Sequence, residues 1–320
     1  MRTFGYCCTY VPLEVIEATG FEPLRILPSS YEKEDVLLDP NFCPYVRALL
    51  AYFRFTREIV GIVLVNSCDG MRRLYDALRR FSPGLFVYFL DVPRKSDEEA
   101  VKYFANILRD FSFWLGKLNQ KEVDLEELKE KIRVYNFRRR AFLELLERGP
   151  KMEDVLRVLK KGFPPDEGKL LKIAFREKKG KKKVLISGSV LESEEVVKMV
   201  EDLGGEAVFL DVCSGVRGPS WVEESGDPYF NLARAYLRKP PCSRSFAPKR
   251  KAILEKTISE VEGVVFYTPK FCDHYLHELV TLRELCQRMG KPLLHLETDY
   301  HPNLSEIIKT RIQAFLETWL

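Results

Sequence analysis

Histidine is scarce in this chain of 320 residues, with four, at positions 274, 277, 295 and 301. A zinc site of mixed Cys/His type could therefore form only near Cys272, where His274 and His277 lie. No CxxC spacing occurs, so no short motif announces a metal site. A GxGxxG run is missing, Gly188-Ser189 is no substitute for one, and no P-loop pattern is present; ATP binding by this chain is not expected. No apolar run approaches the roughly 20 residues needed to cross a bilayer, which argues against a membrane role. The opening MRTFGYCCTY lacks the apolar core of a signal peptide, which points to the cytoplasm. An excess of one charge is also lacking: 51 basic residues face 47 acidic ones, a net charge of +4. The two basic tracts, Lys178 to Lys183 and Arg138 to Arg140, have no interleaved aromatics and read as a solvated strand entry and a solvated helix face. Nucleic acid is thereby excluded as an expected partner.

What is present is an ordinary globular composition, 46% apolar and 31% charged, with eight cysteines. At this length two domains are expected. In the cytoplasm thiols stay reduced, so the cysteines read as thiols, metal ligands or catalytic groups and not as a disulfide framework. Soft thiolates spread over several loops suit an iron-sulfur cluster at least as well as zinc.

The organising stretch is Val60 to Asp76, VGIVLVNSCDGMRRLYD. Gly61 to Val65 is a short β-branched run that fits a strand buried on both faces of a parallel sheet. Cys68 follows at once, and Met71, Leu74, Tyr75 and Leu78 then fall at helical spacing. Strand, cysteine-bearing loop and helix recur at Gly263 to Tyr275 around Cys272, and AVFLDV (Ala207 to Val212) runs into Cys213. In open α/β sheets ligands bind beyond the carboxyl ends of strands, where these thiols would sit. Asp69 and Asp273 each follow such a cysteine and read as helix caps. Cys8 and Cys43 each precede a helix start marked by proline, where the helix dipole favours thiolate.

Along the chain, Met1 to Thr9 is short and aromatic, PLEVIEA (12–18) is a two-turn helix and 21–27 a short strand. Ser29 to Pro40 is a polar loop, and a helix follows from Pro44. LFVYFLDV (85–92) is a further strand. Residues 96–148 read as one long helical region, with a short helix at 152–161. The second half runs β, α, β from VLISGSV, with helices at 194–203, 233–238 and 248–262. It closes with the strand at 263–269, a helix over 275–289, the strand LLHL ending at Leu296, whose exit carries His301, and a helix from Leu304. Cys286, beside Leu285 and Met289, reads as a core residue. The expected domains are an N-terminal α/β lobe over 1–95, a helical connecting layer over 96–165 and a C-terminal α/β lobe over 166–320. Six cysteines remain in loops that could converge on a cleft: Cys8, with Cys7 beside it as the alternative, Cys43, Cys68, Cys213, Cys242 and Cys272.

Seven segments in this order carry a family resemblance: CTYVPLEVIEATGFEPLR (8–25), FCPYVRALL (42–50), NSCDGMRRLYD (66–76), DVCSGVRG (211–218), FCDHY (271–275), LHLETDY (294–300) and TRIQAFLE (310–317). Together they resemble the iron-sulfur subunits of the 2-hydroxyacyl-CoA dehydratase and benzoyl-CoA reductase family. The resemblance implies two Rossmann-like α/β lobes with parallel sheets, gripping an oxygen-sensitive cluster. It also implies one-electron input from a separate ATP-hydrolysing iron-sulfur activator protein. The family's three cubane cysteines map onto Cys43, Cys68 and Cys272, with a fourth, variable position at or beside Cys8. A thiol at that position, together with Cys213 and Cys242, departs from the dehydratases and resembles the double-cubane branch, reductases of small molecules. The implied cofactor is a [4Fe-4S] cluster or a double-cubane [8Fe-9S] cluster. The implied activity is that of an iron-sulfur reductase or a dehydratase-like lyase, on a small-molecule or acyl-CoA substrate, in a homodimer or a heterodimer with a paralogue. Arg47, Arg72 and Arg217, each close to a thiol, are candidates for hydrogen bonds to the cluster or for holding an anionic substrate. A one-cubane dehydratase subunit and a non-catalytic electron carrier are the alternatives.

Overall fold

The computed structural model describes residues 2–28, 38–55, 58–176, 182–245, 248–300 and 306–318. The first half runs β1 (Arg2–Tyr6), α1 (Leu13–Ala18), β2 (Phe21–Arg25), α2 (Pro44–Phe55), β3 (Gly61–Val65), α3 (Asp69–Phe81) and β4 (Phe86–Leu90). Its strands form one parallel sheet in the order β2-β1-β3-β4. After α4 (Glu98–Asn119), α5 (Leu125–Glu147), α6 (Met152–Leu159) and α7 (Glu167–Leu170), a second unit begins. It comprises β5 (Lys182–Gly188), α8 (Glu195–Asp202), β6 (Gly205–Asp211), α9 (Pro228–Arg238), α10 (Pro248–Ser259), β7 (Gly263–Pro269), α11 (Asp273–Arg288), β8 (Leu293–Thr298) and α12 (Glu306–Glu317). Its sheet is again parallel, ordered β6-β5-β7-β8. The protein is thus α/β, with two parallel-sheet lobes.

The most apolar strands take central places. Every residue of β3 and of β7 is buried, as expected for strands with helices on both faces. The strand β1 is a correction to the reading of Met1 to Thr9 as merely short and aromatic. RTFGY holds too few β-branched residues to signal a strand, yet it lies between β2 and β3, with Phe4 and Tyr6 in the core. The single helical region expected over 96–148 is divided where Gln120 turns left-handed at φ 52, and Asp124 then caps α5. The basic run from Lys178 lies partly outside the described residues, as does His301.

The helical layer belongs to both lobes. The core of the first lobe takes in Phe104, Leu108 and Phe111 of α4, Leu128 and Ile132 of α5, and Leu232 and Tyr236 of α9. The core of the second takes in Phe142 and Leu145 from the far end of α5, with Val155 and Leu156 of α6. Arg138 to Arg140 is not a solvated face. Successive residues of a helix diverge by about 100°, and Arg139 points inward, fully buried, to pair with the fully buried Glu14 of α1. The Tyr236 hydroxyl donates to the other oxygen of Glu14 at 2.8 Å, so α1, α5 and α9 share one buried charge pair. Removing one partner of such a pair costs about 3–5 kcal/mol. Glu14→Ala is therefore expected to lower unfolding stability by that order in denaturant titration, whereas Glu130→Ala, which removes an exposed pairing with Arg133, should change it by under about 1 kcal/mol.

Candidate metal centre at the seam of the lobes

Both sheets deliver cysteines from the carboxyl ends of their strands. Cys7 and Cys8 leave β1, Cys68 follows β3, Cys213 follows β6 and Cys272 follows β7. Two loops add Cys43, just before α2, and Cys242, beyond the end of α9. All eight cysteines are free thiols. Cys68 and Cys272 are themselves the N-terminal boundary residues of α3 and α11. Asp69 and Asp273 are therefore not the caps expected from sequence; they stand in the first helical turn. Ahead of Cys272, Phe271 adopts φ 58, a left-handed conformation rare for a bulky residue.

Mutual influence groups six of the thiols by threes, with Cys213 between the groups, packed against the same cores as Cys43, Cys68 and Cys272. In the first, Cys43 and Cys272 hydrogen-bond to each other, and Cys68 lies close enough to be acted on by the charge of Cys43. The Cys272 bond holds the Cys43 thiol below its ordinary value against burial, helped by the N–H groups of Val46 and Tyr45. The same bond, seen from Cys272, combines with burial to push that thiol well up. Burial raises Cys68 to about 11, opposed by the N–H groups of Met71 and Gly70. The Ser189 hydroxyl lies 3.4 Å from Cys272 Sγ. It follows Gly188 (φ 134), where an added Cβ would lie 2.0 Å from the Tyr267 carbonyl oxygen.

In the second set, Cys8, Cys213 and Cys242 interact mutually. Burial raises the Cys8 thiol, with the charge of Cys242 adding to it, while the Tyr10 N–H group and then Lys239 and Arg244 oppose it. The helix-start setting expected for Cys8 does not apply, because α1 begins only at Leu13 and has six residues. Cys213 is raised to about 11 by burial, against the pull of Arg217. Its Sγ lies 2.9 Å from the Tyr275 hydroxyl and 3.8 Å from an Arg217 nitrogen. Cys7 packs into the core around α2 and β3, where burial raises its thiol and the charges of Cys8 and Cys68 add to it. Cys286 is a core residue, as expected. Each set draws two thiols from the side of the first lobe and one from the second, since Cys242 packs in the first lobe's core.

The buried cations around these sets divide into two kinds. Arg217 and Arg250 share Asp211, and Arg250 also pairs with Glu278 at 2.7 Å. Burial alone would raise the Asp211 carboxyl, but the two guanidinium groups hold it far below the usual range. Lys239, Arg244 and Arg25 are also buried, yet bond to neutral acceptors. Lys239 Nζ donates to Thr9 Oγ1 at 2.8 Å and to the Arg217 carbonyl at 2.5 Å, and stands 3.9 Å over the Tyr10 ring. Arg244 donates to the carbonyls of Val92 and Pro93 and to Asn66 Oδ1. Arg25 donates to the carbonyls of Leu159 and Cys213. Among the described residues none of the three has a carboxylate partner, and burial lowers Lys239 to about 8. Sequence reasoning missed Lys239 and Arg244; the signal available was their place on either side of Pro-Pro-Cys242.

Of the arginines named from sequence, Arg217 joins the second set. Arg47 is half-buried one turn beyond Cys43, and Arg72 is exposed, its guanidinium 5.6 Å from the Phe89 ring. His274 is pushed down to about 4 by burial and by Arg217, Arg244 and Arg94, while His277 is exposed. No three His, Cys, Asp or Glu side chains among the described residues close around a point tightly enough for a single metal ion. No helix among them is long and apolar enough to cross a membrane.

Two parallel α/β lobes with thiols from both gathered at their seam define a class in which the site is built between lobes. Within it, this chain belongs to the 2-hydroxyglutaryl-CoA dehydratase D-component family, whose sequence profile matches residues 8–319. It is 26% identical to the putative dehydratase subunit YjiM of Escherichia coli strain K12, over 98% of this chain and 90% of that one. It is also 26% identical to one of the benzoyl-CoA reductase subunits of Thauera aromatica, over 98% and 89%. With the (R)-phenyllactyl-CoA dehydratase beta subunit of Clostridium sporogenes it shares 21%, over 99% and 91%. Its relatives are thus subunits of dehydratases and reductases, and its own role is enzyme-like. The laminin-binding protein Lmb of Streptococcus agalactiae covers 99% of each chain at 10% identity, but with a TM-score of 0.26 that likeness carries no weight.

Close to the first set lies a buried carboxyl. Glu192 accepts from the Tyr267 hydroxyl at 2.9 Å, which also meets Thr298 Oγ1 at 2.8 Å. Burial raises Glu192 to about 7, although Tyr267 and Lys160 oppose it. Its proton is therefore held more tightly in the folded chain than in the unfolded one. The stabilising contribution is complete below the ordinary carboxyl value of 4.5 and disappears as pH rises through about 7, a loss of up to about 3 kcal/mol. Glu192→Gln is accordingly expected to be more stable than the parent at pH 8 and equal to it near pH 4, a difference that thermal unfolding at the two pH values will display.

Proposed function

We propose that this chain is an iron-sulfur subunit in which Cys43, Cys68 and Cys272 hold one cubane and Cys8, Cys213 and Cys242 a second, in a double-cubane-type cluster. It takes low-potential electrons from an ATP-hydrolysing activator, reduces a small molecule, and works in the cytoplasm, paired with a second copy or a paralogue. The single observation that carries this reading is the gathering of six thiols, from the strand ends of both sheets and from two loops, at one seam. A cubane's cysteines stand farther apart than the ligands of one ion, because four irons lie between them, and loosely gathered trios suit that arrangement.

The surrounding groups fit such an occupant. Six thiolates and inorganic sulfide are strongly anionic, and three buried cations without carboxylates call for negative charge. Arg244 Nε, Arg25 Nε and Ser243 Oγ are buried without hydrogen-bond partners. When bound, the cluster supplies one-electron reducing power whose potential depends on ligand charge, burial and hydrogen bonds to sulfur. The chain's own residues hold the thiolates, exclude water and supply the donors. The N–H groups of Tyr45, Val46, Gly70 and Met71 serve the first set, and the Arg217 guanidinium serves Cys213. Arg47 and Arg72, one turn beyond Cys43 and Cys68, are the candidates for an anionic group of the substrate.

A second reading, a single [4Fe-4S] subunit of a 2-hydroxyacyl-CoA dehydratase, draws support from the relatives named as dehydratase subunits. Iron and sulfide analysis of protein prepared without oxygen separates the two, since about eight irons per chain are expected for the first and about four for the second. In the first case Cys213→Ala combined with Cys242→Ala should bring the content down by about half; iron near zero in the reconstituted parent would sink both readings.

A further inference from the structure

We infer that Lys239 and Arg244 are positioning residues that supply the fixed positive charge required by the Cys8, Cys213 and Cys242 set, a task performed at the other set by helix N-termini. The inference rests on the proposed function above and goes beyond it, by assigning the two halves of the site different means of balancing charge.

The first set is seated at helix starts, where backbone N–H groups reach Cys43 and Cys68 and the Ser189 hydroxyl reaches Cys272. Cys43, Cys68 and Cys272 stand directly at the starts of α2, α3 and α11, helices of 12, 13 and 16 residues. Free N–H groups and the positive end of the helix dipole meet there. The second set has no such seat. Cys213 enters a loop of turns, Cys242 follows Pro240 and Pro241, and Cys8 is separated from α1 by four residues. Outside any helix start, the Tyr10 N–H group reaches Cys8 and the Tyr275 hydroxyl meets Cys213, and the positive charge comes from side chains: Lys239 and Arg244 act on Cys8, and Arg217 acts on Cys213.

These cations are not explained by bracing alone. Other deeply buried cations, Arg139, Arg217 and Arg250, each have a carboxylate partner. Lys239 is 3% exposed and Arg244 2%, and both touch neutral oxygens. A buried charge without a counter-charge is costly, and a neutral donor would bridge Thr9 to the Arg217 carbonyl at lower cost. The Arg244 guanidinium also keeps a buried nitrogen without an acceptor. Both chains converge on the Tyr10 ring, at 3.9 and 5.2 Å, which places their charges together beside Cys8 and Cys242. The charge of both is answered only when the three thiols are ionised and ligated.

The test uses full-length protein prepared without oxygen, as parent, Lys239→Gln and Lys239→Arg, with iron content, low-temperature electron paramagnetic resonance and a redox titration on each. Glutamine keeps a donor and removes the charge; arginine keeps the charge. Lys239→Gln is expected to move the ratio of reduced to oxidised cluster at fixed potential about tenfold or more toward oxidised, as one charge at short range in a protein interior does. Lys239→Arg should remain within about twofold of the parent, a margin small against that effect. If Lys239→Gln does not accumulate as folded protein, Lys239→Met takes its place. A neutral variant with full iron, an unchanged spectrum and an unchanged ratio overturns the inference. A parent without iron overturns the underlying reading instead, so the two failures are distinguishable.

Discussion

Three positive charges shut between two lobes, with no carboxylate to answer them among the described residues, set the terms for everything around them. There Lys239, Arg244 and Arg25 bond to carbonyls, a hydroxyl and an amide oxygen. Such burial is costly without negative charge, and the thiols gathered there are groups that can provide it. Parallel sheets bring four of the six to the seam, because the carboxyl ends of β1, β3, β6 and β7 face it. The remaining two come from loops whose prolines mark the turn. Burial favours the protonated form of most of these thiols, and the ligation proposed for them would take those protons away.

Much of this was legible in the residues. GIVLV and GVVFYTP announce buried parallel strands by β-branching and length alone, and the cysteines that follow them stand where α/β folds place ligands. β1 was not legible. A strand that owes its place to partners on both sides needs little propensity of its own, and Arg2 and Gly5 hid it. That omission also concealed why Cys7 and Cys8 differ: consecutive residues leaving a strand face opposite ways, and Cys7 is drawn into the core. Arg139 was misread because a charge run looks alike whether or not its middle member finds Glu14. Lys239 and Arg244 escaped notice because their place beside Pro-Pro-Cys242 does not by itself distinguish a buried cation from a solvated one; only the fold takes water away from them. Membership of one set or the other is likewise a property of the assembled chain.

The contrast between the sets bears on how such sites tolerate change. Backbone N–H groups at a helix start are present whatever the side chains, so the first set keeps its donors under most substitutions. The second depends on particular side chains contributed by separate segments, Lys239 and Arg244 from one loop and Arg217 from another. Arg217 is held in turn by Asp211, which also anchors Arg250. The second half of the site is thus the more exposed to variation, and in this family it is where chains with different chemistry would be expected to diverge.

Helix α9 carries a consequence for the motion of the lobes. It belongs by sequence to the second half but packs Leu232 and Tyr236 into the hydrophobic interior of the first, and each trio of thiols straddles the boundary two against one. A clamshell motion of the lobes would extract that helix and pull both trios apart together. The packing of that one helix thus ties the two halves in register.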